Sequence, residues 1–368
     1  MVKLCSYCKE RNRTPLPECP DSECFVCRGA SAKLEKMADE AAGKIPQGWK
    51  SFAVSTNVPR EMMAREEAVW DYGLGRSVKD DFNRRIVAAL AERTGLGYDF
   101  VKADGKVVFD FAKGEARLEN ADLFVYGKYK KFRSDIAQSE WTCKNCNGKG
   151  CEECDFEGVK YDSVEVIIGN AAKALYGAKD AELHSSGRED VDALNLAGRP
   201  FVLELRKPDR GKLQLKALAD AVNTRESGVE ITDLQYVSNG EVALVSDSHF
   251  DKAYEAEMEV EGGFAHEDAG KIMALAGSML SQRTPHRVKH RRSDLVRKRR
   301  ILGLRILGEK PPKIYVLAEA GTYIKEFISG DAGRTEPSVS GALGKKAKCI
   351  KLSVVEIRDG FLGDVLGY

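Results

Sequence analysis

Apolar residues return at helical spacing over residues 31–43, and Gly43 and Pro46 mark where that helix ends. Residues 80–93 repeat the pattern, with Ile86, Val87 and Leu90 on the inward face. Shorter apolar runs at 52–54, 106–111 and 121–126 predict strands. The first third of the chain thus reads as a small domain of mixed helices and strands. Further on, the pattern predicts helices at 163–176, with Ser163 as N-cap, and at 213–223 and 266–280. Strands are predicted at 200–205, 252–260, 314–319 and 349–357, and residues 230–245 as two strands about an Asn239-Gly240 turn. Along 252–260 the alternation is regular: Tyr254, Ala256, Met258 and Val260 face one way, Glu255, Glu257 and Glu259 the other. That strand has one wet face.

Cysteine spacing adds a second kind of organisation. Eight of the ten cysteines form Cys-x-x-Cys pairs: Cys5/Cys8, Cys24/Cys27, Cys143/Cys146 and Cys151/Cys154. Random placement would yield such a pair only ~0.3 times, so the spacing signals metal ligation. Two thiolates on a tight turn reach one ion, and four of them suit structural zinc, one or two ions in all. Cys19 is a candidate substitute ligand, and Cys349, on a predicted strand, reads as a small buried hydrophobe. The five histidines show no paired-ligand spacing, so no catalytic metal is expected.

Composition narrows the class without naming a function. A 368-residue chain with 31% charged residues and a net charge of +1 is ordinary for a globular protein of two or three domains. The longest apolar stretch, residues 272–280, is about half of the ~20 residues needed for a membrane span. With no leader-like segment at residues 1–8, the expected location is the cytoplasm and no membrane partner is expected. Positive charge is concentrated locally. Residues 283–300 hold nine Lys/Arg against the single acid Asp294, and Lys128, Lys130, Lys131 and Arg133 surround Tyr129 and Phe132. Such clusters suit phosphate contacts and salt-dependent RNA binding.

Five motifs then occur in a telling order. Residues 127–132 read Gly-Lys-Tyr-Lys-Lys-Phe, 187–192 Gly-Arg-Glu-Asp-Val-Asp, and 198–204 Gly-Arg-Pro-Phe-Val-Leu-Glu. Residues 284–292 run Thr-Pro-His-Arg-Val-Lys-His-Arg-Arg, and 320–327 Ala-Gly-Thr-Tyr-Ile-Lys-Glu-Phe, leading into Gly330-Asp331-Ala332-Gly333-Arg334-Thr335. In this order, and over nearly the whole chain, the sequence resembles the archaeal tRNA pseudouridine synthases of the tenth family, which modify uridines 54 and 55 of the TΨC arm. The resemblance implies that Asp190 is the nucleophile, that Tyr254 stacks on the target base and that Lys325 pairs with the aspartate. It places Ile324 beside that lysine and Leu352 in the wall of the site. One stretch departs from the family pattern: the segment from Asp192 to Gly198 is one residue shorter and lacks an arginine. The local loop should differ accordingly.

These residue types suit the chemistry. Converting an N-glycoside into a C-glycoside is an isomerisation, needing neither redox partner nor energy donor. A carboxylate can act as covalent nucleophile, and a nearby ammonium keeps it ionised. An aromatic face offsets the cost of extruding a base from its stack. The expected substrate-binding residues are Arg188, Arg287, Arg291, Arg292, Lys130 and Lys131, together with Ile324 and Leu352.

The expected fold class is α+β. A zinc-bearing unit (1–30) and an RNA-binding domain of THUMP type (31–137) are followed by a four-cysteine zinc knuckle (138–160). A pseudouridine synthase catalytic domain (161–368) with a mixed, largely antiparallel sheet completes the chain. The sheet and the THUMP assignment come from the resemblance. The partner is tRNA, the protein is expected to be a monomer, and catalysis should need no cofactor. A non-catalytic tRNA-binding protein or RNA chaperone would share the zinc and the basic patches, but has no use for Asp190, Tyr254 and Lys325 together. A THUMP-bearing methyltransferase or thiouridylase should show a Gly-x-Gly-x-x-Gly loop or a P-loop. The chain has neither, so no nucleotide cofactor is expected.

Overall fold

The computed structural model describes residues 1–69, 75–100, 103–288 and 293–366. Packing divides the chain into two units. The first contains 1–123 and the short segments 175–179 and 206–213; the second contains 124–174, 180–205 and 214–368. The boundary at Leu123/Phe124 falls earlier than the 137/138 boundary expected from the second cysteine unit. The reason is the strand Leu123–Lys131, which pairs with Val229–Val237 and so belongs to the larger sheet.

In the first unit a four-stranded sheet runs in the order Gly97–Tyr98, Ser51–Asn57, Gly105–Asp110, Glu115–Asn120. Helices Ala30–Ala42 and Val78–Thr94 supply Leu34, Met37, Phe82, Ile86 and Leu90 to a core shared with Phe52, Val54, Val107 and Phe109. The longer helix starts two residues earlier than expected, at Val78, because the Ser77 side chain caps it by accepting from Asp80 N (3.1 Å), and it stops at Gly95, whose φ is +70°. Cys5, Cys8, Cys24 and Cys27 are part of this same core. Beside them Arg11 and Glu66 form a buried ion pair, and Glu66 Oε1 also accepts from Val78 N at 2.8 Å.

The second unit is built on a ten-stranded mixed sheet. Its central order is Pro312–Ala318, Lys252–Val260, Ala347–Ile357, Ala193–Arg206, Leu123–Lys131, Val229–Val237. The strand 252–260 is antiparallel to both neighbours, whereas Ala347–Ile357 and Ala193–Arg206 run parallel. Residues 200–205 are buried on both faces, which is why the run is apolar apart from the buried Glu204. Gly127 sits at a register shift between Leu123–Lys131 and Val229–Val237, where a Cβ would lie 2.6 Å from Leu234 Cδ2 and 2.9 Å from Phe201 Cζ. The motif glycine is thus a packing requirement.

Two expected elements differ. The Asn239-Gly240 turn does not form, because Asn239 takes a right-handed helical conformation (φ −58°, ψ −26°) and opens the helix Gly240–Ser246. Ser238 N and Oγ both donate to Glu241 Oε2 (2.7 and 2.6 Å), fixing that helix start. The helix expected at 266–280 stops at Met273; Gly277 (φ +79°) turns the chain into the strand Met279–Arg283. The described residues of the basic segment that follows comprise the end of that strand, a short turn at His286–Val288 and the start of the strand Val296–Glu309. Among the described residues no helix is long and apolar enough to cross a membrane.

Candidate active site and metal centres

The two cysteine quartets have the geometry of metal centres. In each, all four sulfurs lie within 4.8 Å of one another. Cys5 and Cys27 Sγ are 3.6 Å apart, Cys143 and Cys151 3.9 Å, and Cys146 and Cys154 3.8 Å. A tetrahedral zinc–tetrathiolate centre with Zn–S bonds of ~2.3 Å has sulfur separations of ~3.8 Å, so both groups fit the ion. Cys24 is driven well below the ordinary thiol value because Cys27, Cys5 and Cys8 donate toward its sulfur. Cys151 is pulled down to about 7, first by the hydrogen bond from Asn145 Nδ2. Cys19 lies outside both quartets. Cys349 is half-buried and its thiol is pushed up to about 11 by that burial.

The second unit holds the other cluster. Asp190 lies in an irregular segment just before the strand Ala193–Arg206, and its carbonyl accepts from Ala193 N at 3.1 Å. Sheet register brings the other residues alongside: Leu352 pairs with Ala193 on one side and with Ala256 on the other. Val354 likewise lies between Asn195 and Tyr254. Adjacent strands are ~4.8 Å apart, so Tyr254 lies about two strand spacings from Asn195, on the strand that Asp190 leads into. Ile324 and Lys325 open the short helix Ile324–Ser329.

Two cations hold the Asp190 carboxylate. Arg287 Nη1 lies 2.7 Å from Oδ1, and Lys325 Nζ lies 3.4 Å from Oδ2 and 2.5 Å from Asp192 Oδ1. Burial alone would raise this carboxyl's pKa, but Arg287 and then Lys325 outweigh it, and the group is held below the usual carboxylate range. Arg287 is itself fixed by Glu326, with Nε 2.7 Å from Oε1 and Nη2 3.4 Å from Oε2. Tyr254 is half-buried and its phenol is pushed up to about 12, chiefly by burial, so it is neutral at neutral pH.

The expected site residues therefore divide. Asp190, Lys325 and Arg287 are in contact, Tyr254 and Leu352 are brought near by register, and Ile324 is buried beside them. Arg188 is exposed, with its guanidinium 5.2 Å from the centre of the Trp141 ring. Lys130 pairs with Glu230 at 2.8 Å on the sheet. Lys131 departs from expectation. It is fully buried and its ammonium donates to the carbonyls of Ile136, Asp190 and Val191, so it cannot meet RNA phosphate. Arg291 and Arg292 lie outside the described residues.

Sequence reasoning missed the layer beneath Asp190. Arg199, 1% exposed, has Nε 2.7 Å from Glu189 Oε2, an ion pair in which that N–H is not aligned as a hydrogen-bond donor. Its Nη1 donates to Ser186 O at 2.7 Å, and Tyr129 donates its hydroxyl to the Glu189 carboxylate (2.9 and 3.1 Å). Arg199, Glu189 and Tyr129 each stand inside a quoted motif, and Glu326 adjoins Lys325. Their presence in the motifs was a signal, but only folding reveals which charge meets which.

The family model for the C-terminal region of Pus10 matches residues 124–358, the span of the second unit's sheet. A protein of Korarchaeum cryptofilum named tRNA pseudouridine synthase Pus10 is 36% identical over 347 residues, covering 91% of this chain and 92% of that protein. Its namesake in Archaeoglobus fulgidus is 36% identical over 340 residues (91% and 95%), and that in Methanothermobacter marburgensis 35% over 386 residues (96% and 95%). One chain in the crystal structure of a Cbf5-Nop10-Gar1 complex is similar over 52% of this chain and 44% of its own, at 17% identity and a TM-score of 0.33. The class is that of pseudouridine synthases; within it, this chain belongs to the Pus10 family.

Metal analysis of purified protein should find two zinc ions per chain, and Cys8→Ser or Cys146→Ser should each remove one; no bound zinc would refute the metal reading. In a pH profile of single-turnover rate, Arg287→Ala should move the acid limb to higher pH, because burial then acts on Asp190 with one cation fewer. An unmoved limb would show that Asp190 does not set it.

Proposed function

We propose that this protein is a tRNA pseudouridine synthase that isomerises uridine in the TΨC arm, at position 54, 55 or both, with Asp190 as its nucleophile. The observation that carries the reading is the half-buried Asp190 carboxylate held ionised between Arg287 and Lys325 in a member of the Pus10 family.

In the reaction the N1–C1′ bond breaks, a C5–C1′ bond forms, the C5 proton leaves and N1 gains a proton, so no atom or electron is gained overall. Asp190 supplies the transient covalent bond that splits the exchange into two steps. The target base must leave its stack, at a cost of a few kcal/mol, and Tyr254 offers a flat face to receive it. Because the phenol is neutral, Tyr254 stacks and hydrogen-bonds in the substrate complex, and it takes up the C5 proton only if that complex lowers its pKa. Leu352 and Ile324 form an apolar wall. Protein side chains carry each of these steps, and the cysteine quartets are structural.

RNA is gripped through phosphate contacts by the basic strand ends, where Lys298 and Arg300 are exposed. Arg283 is partly engaged, 2.8 Å from Asp294. The first unit, to which the family resemblance gives a THUMP-type role, adds to that grip, and the protein acts in the cytoplasm.

The test is site mapping on an unmodified tRNA transcript incubated with the full chain. Pseudouridine should appear only in the TΨC arm, and replacing uridine 54 or 55 by cytidine should abolish product at that position alone. Tyr254→Phe should retain tRNA affinity and slow conversion at least about 10-fold, as expected when a positioned acid–base group is lost. Product elsewhere in the tRNA, with none in the TΨC arm, would refute the assigned position.

A further inference from the structure

The segment from Ser185 to Asp192 contains no helix or strand beyond Ser185, yet the carbonyls of Ser186, Gly187, Asp190 and Val191 are each tied to a buried side chain. Arg199 takes Ser186 O. Gln138 Nε2 lies 2.8 Å from Gly187 O, 2.7 Å from Ser185 Oγ and 2.9 Å from Tyr129 Oη. Lys131 takes the other two, Asp190 O at 3.1 Å and Val191 O at 2.8 Å. Its third proton goes to Ile136 O at 2.9 Å, so all three donors of the ammonium are used. Gly187, at φ +73°, allows the close turn that this tethering demands, with Arg199 Nη1 only 3.3 Å from where a Cβ would stand.

A wholly buried lysine without a carboxylate in contact is costly, and burial does push its pKa down while Glu189, Asp192 and Asp190 oppose that shift. A methionine would fill the same space without burying a charge, but would leave the carbonyls of Ile136, Asp190 and Val191 without this donor. The arrangement therefore calls for a return beyond packing, and the atoms held are the backbone of the very residue proposed to attack.

We infer that Lys131, with Gln138 as a second anchor, is the positioning residue for Asp190: it fixes the nucleophile's main chain from below while Arg287 and Lys325 hold its carboxylate from above. The inference rests on Asp190 being the nucleophile. Neither Lys131 nor Gln138 touches the substrate. Both act on the attack geometry, in which a misplacement of about 1 Å can cost on the order of 100-fold in rate. The signature is a loss confined to kcat, because the surfaces that grip tRNA are unchanged.

The experiment measures kcat, KM, tRNA Kd and melting temperature for the full chain as wild type, Lys131→Met and Gln138→Met. Folded Lys131→Met should lose about 100-fold in kcat, and Gln138→Met about 10-fold, with KM and Kd within about twofold of wild type. Wild-type kcat in a folded variant, or a loss appearing in KM and Kd instead, overturns the inference. If Lys131→Met does not fold, Gln138→Met decides alone on the same criteria. A wild-type chain that converts no uridine has failed at the level of the proposed function and takes this inference with it. Wild-type activity that persists in the variants removes the clamp alone.

Discussion

A carboxylate set into a protein surface stays ionised only where cations repay its lost water. That constraint governs the second unit. Asp190 keeps its charge because Arg287 and Lys325 converge on it from two separate elements, a turn after the strand Met279–Arg283 and the first turn of Ile324–Ser329. Arg287 needs its own anchor, which Glu326 provides, and Lys325 shares its charge with Asp192. Three acids, Asp190, Asp192 and Glu326, thus share two cations.

Beneath it lies a second balance, closed to solvent. Glu189 is the immediate neighbour of Asp190 in sequence but points the other way, into Arg199 and Tyr129. Glu189 is buried in the core, while Asp190 is only half-buried and meets Arg287 and Lys325. The buried partner fixes the chain, and the outer one is the proposed nucleophile. A buried polar network of this kind specifies one arrangement of the loop, which is what a reaction needing sub-ångström placement requires.

Much of this was legible in the sequence. The alternation at 252–260 gave the strand that carries Tyr254, and the periodicity at 80–93 gave the long helix of the first unit, because both patterns arise from one-sided burial. The motif around Asp190 pointed to the carboxylate, and the Cys-x-x-Cys spacing to the two sulfur quartets. What failed shares a cause. Asn239-Gly240 has the composition of a hairpin turn, but the Ser238–Glu241 contact holds a helix start there. Lys131 carries a charge and sits in a basic cluster, so it reads as an RNA contact; only the sheet shows that its strand buries it completely. Arg199 and Glu189 are invisible as a pair because a stretch of loop and strand separates partners that folding joins. Local pattern reports which side of an element is buried, but not which polar group awaits it there.

The central claim is that Asp190 attacks while its neighbours hold and orient. The most direct measurement is single-turnover conversion of an unmodified tRNA transcript by Asp190→Asn, which keeps the shape of the side chain and removes only its charge and nucleophilicity. The account predicts tRNA binding close to wild type and no detectable pseudouridine. Pseudouridine formation by that variant at a rate near wild type would contradict it.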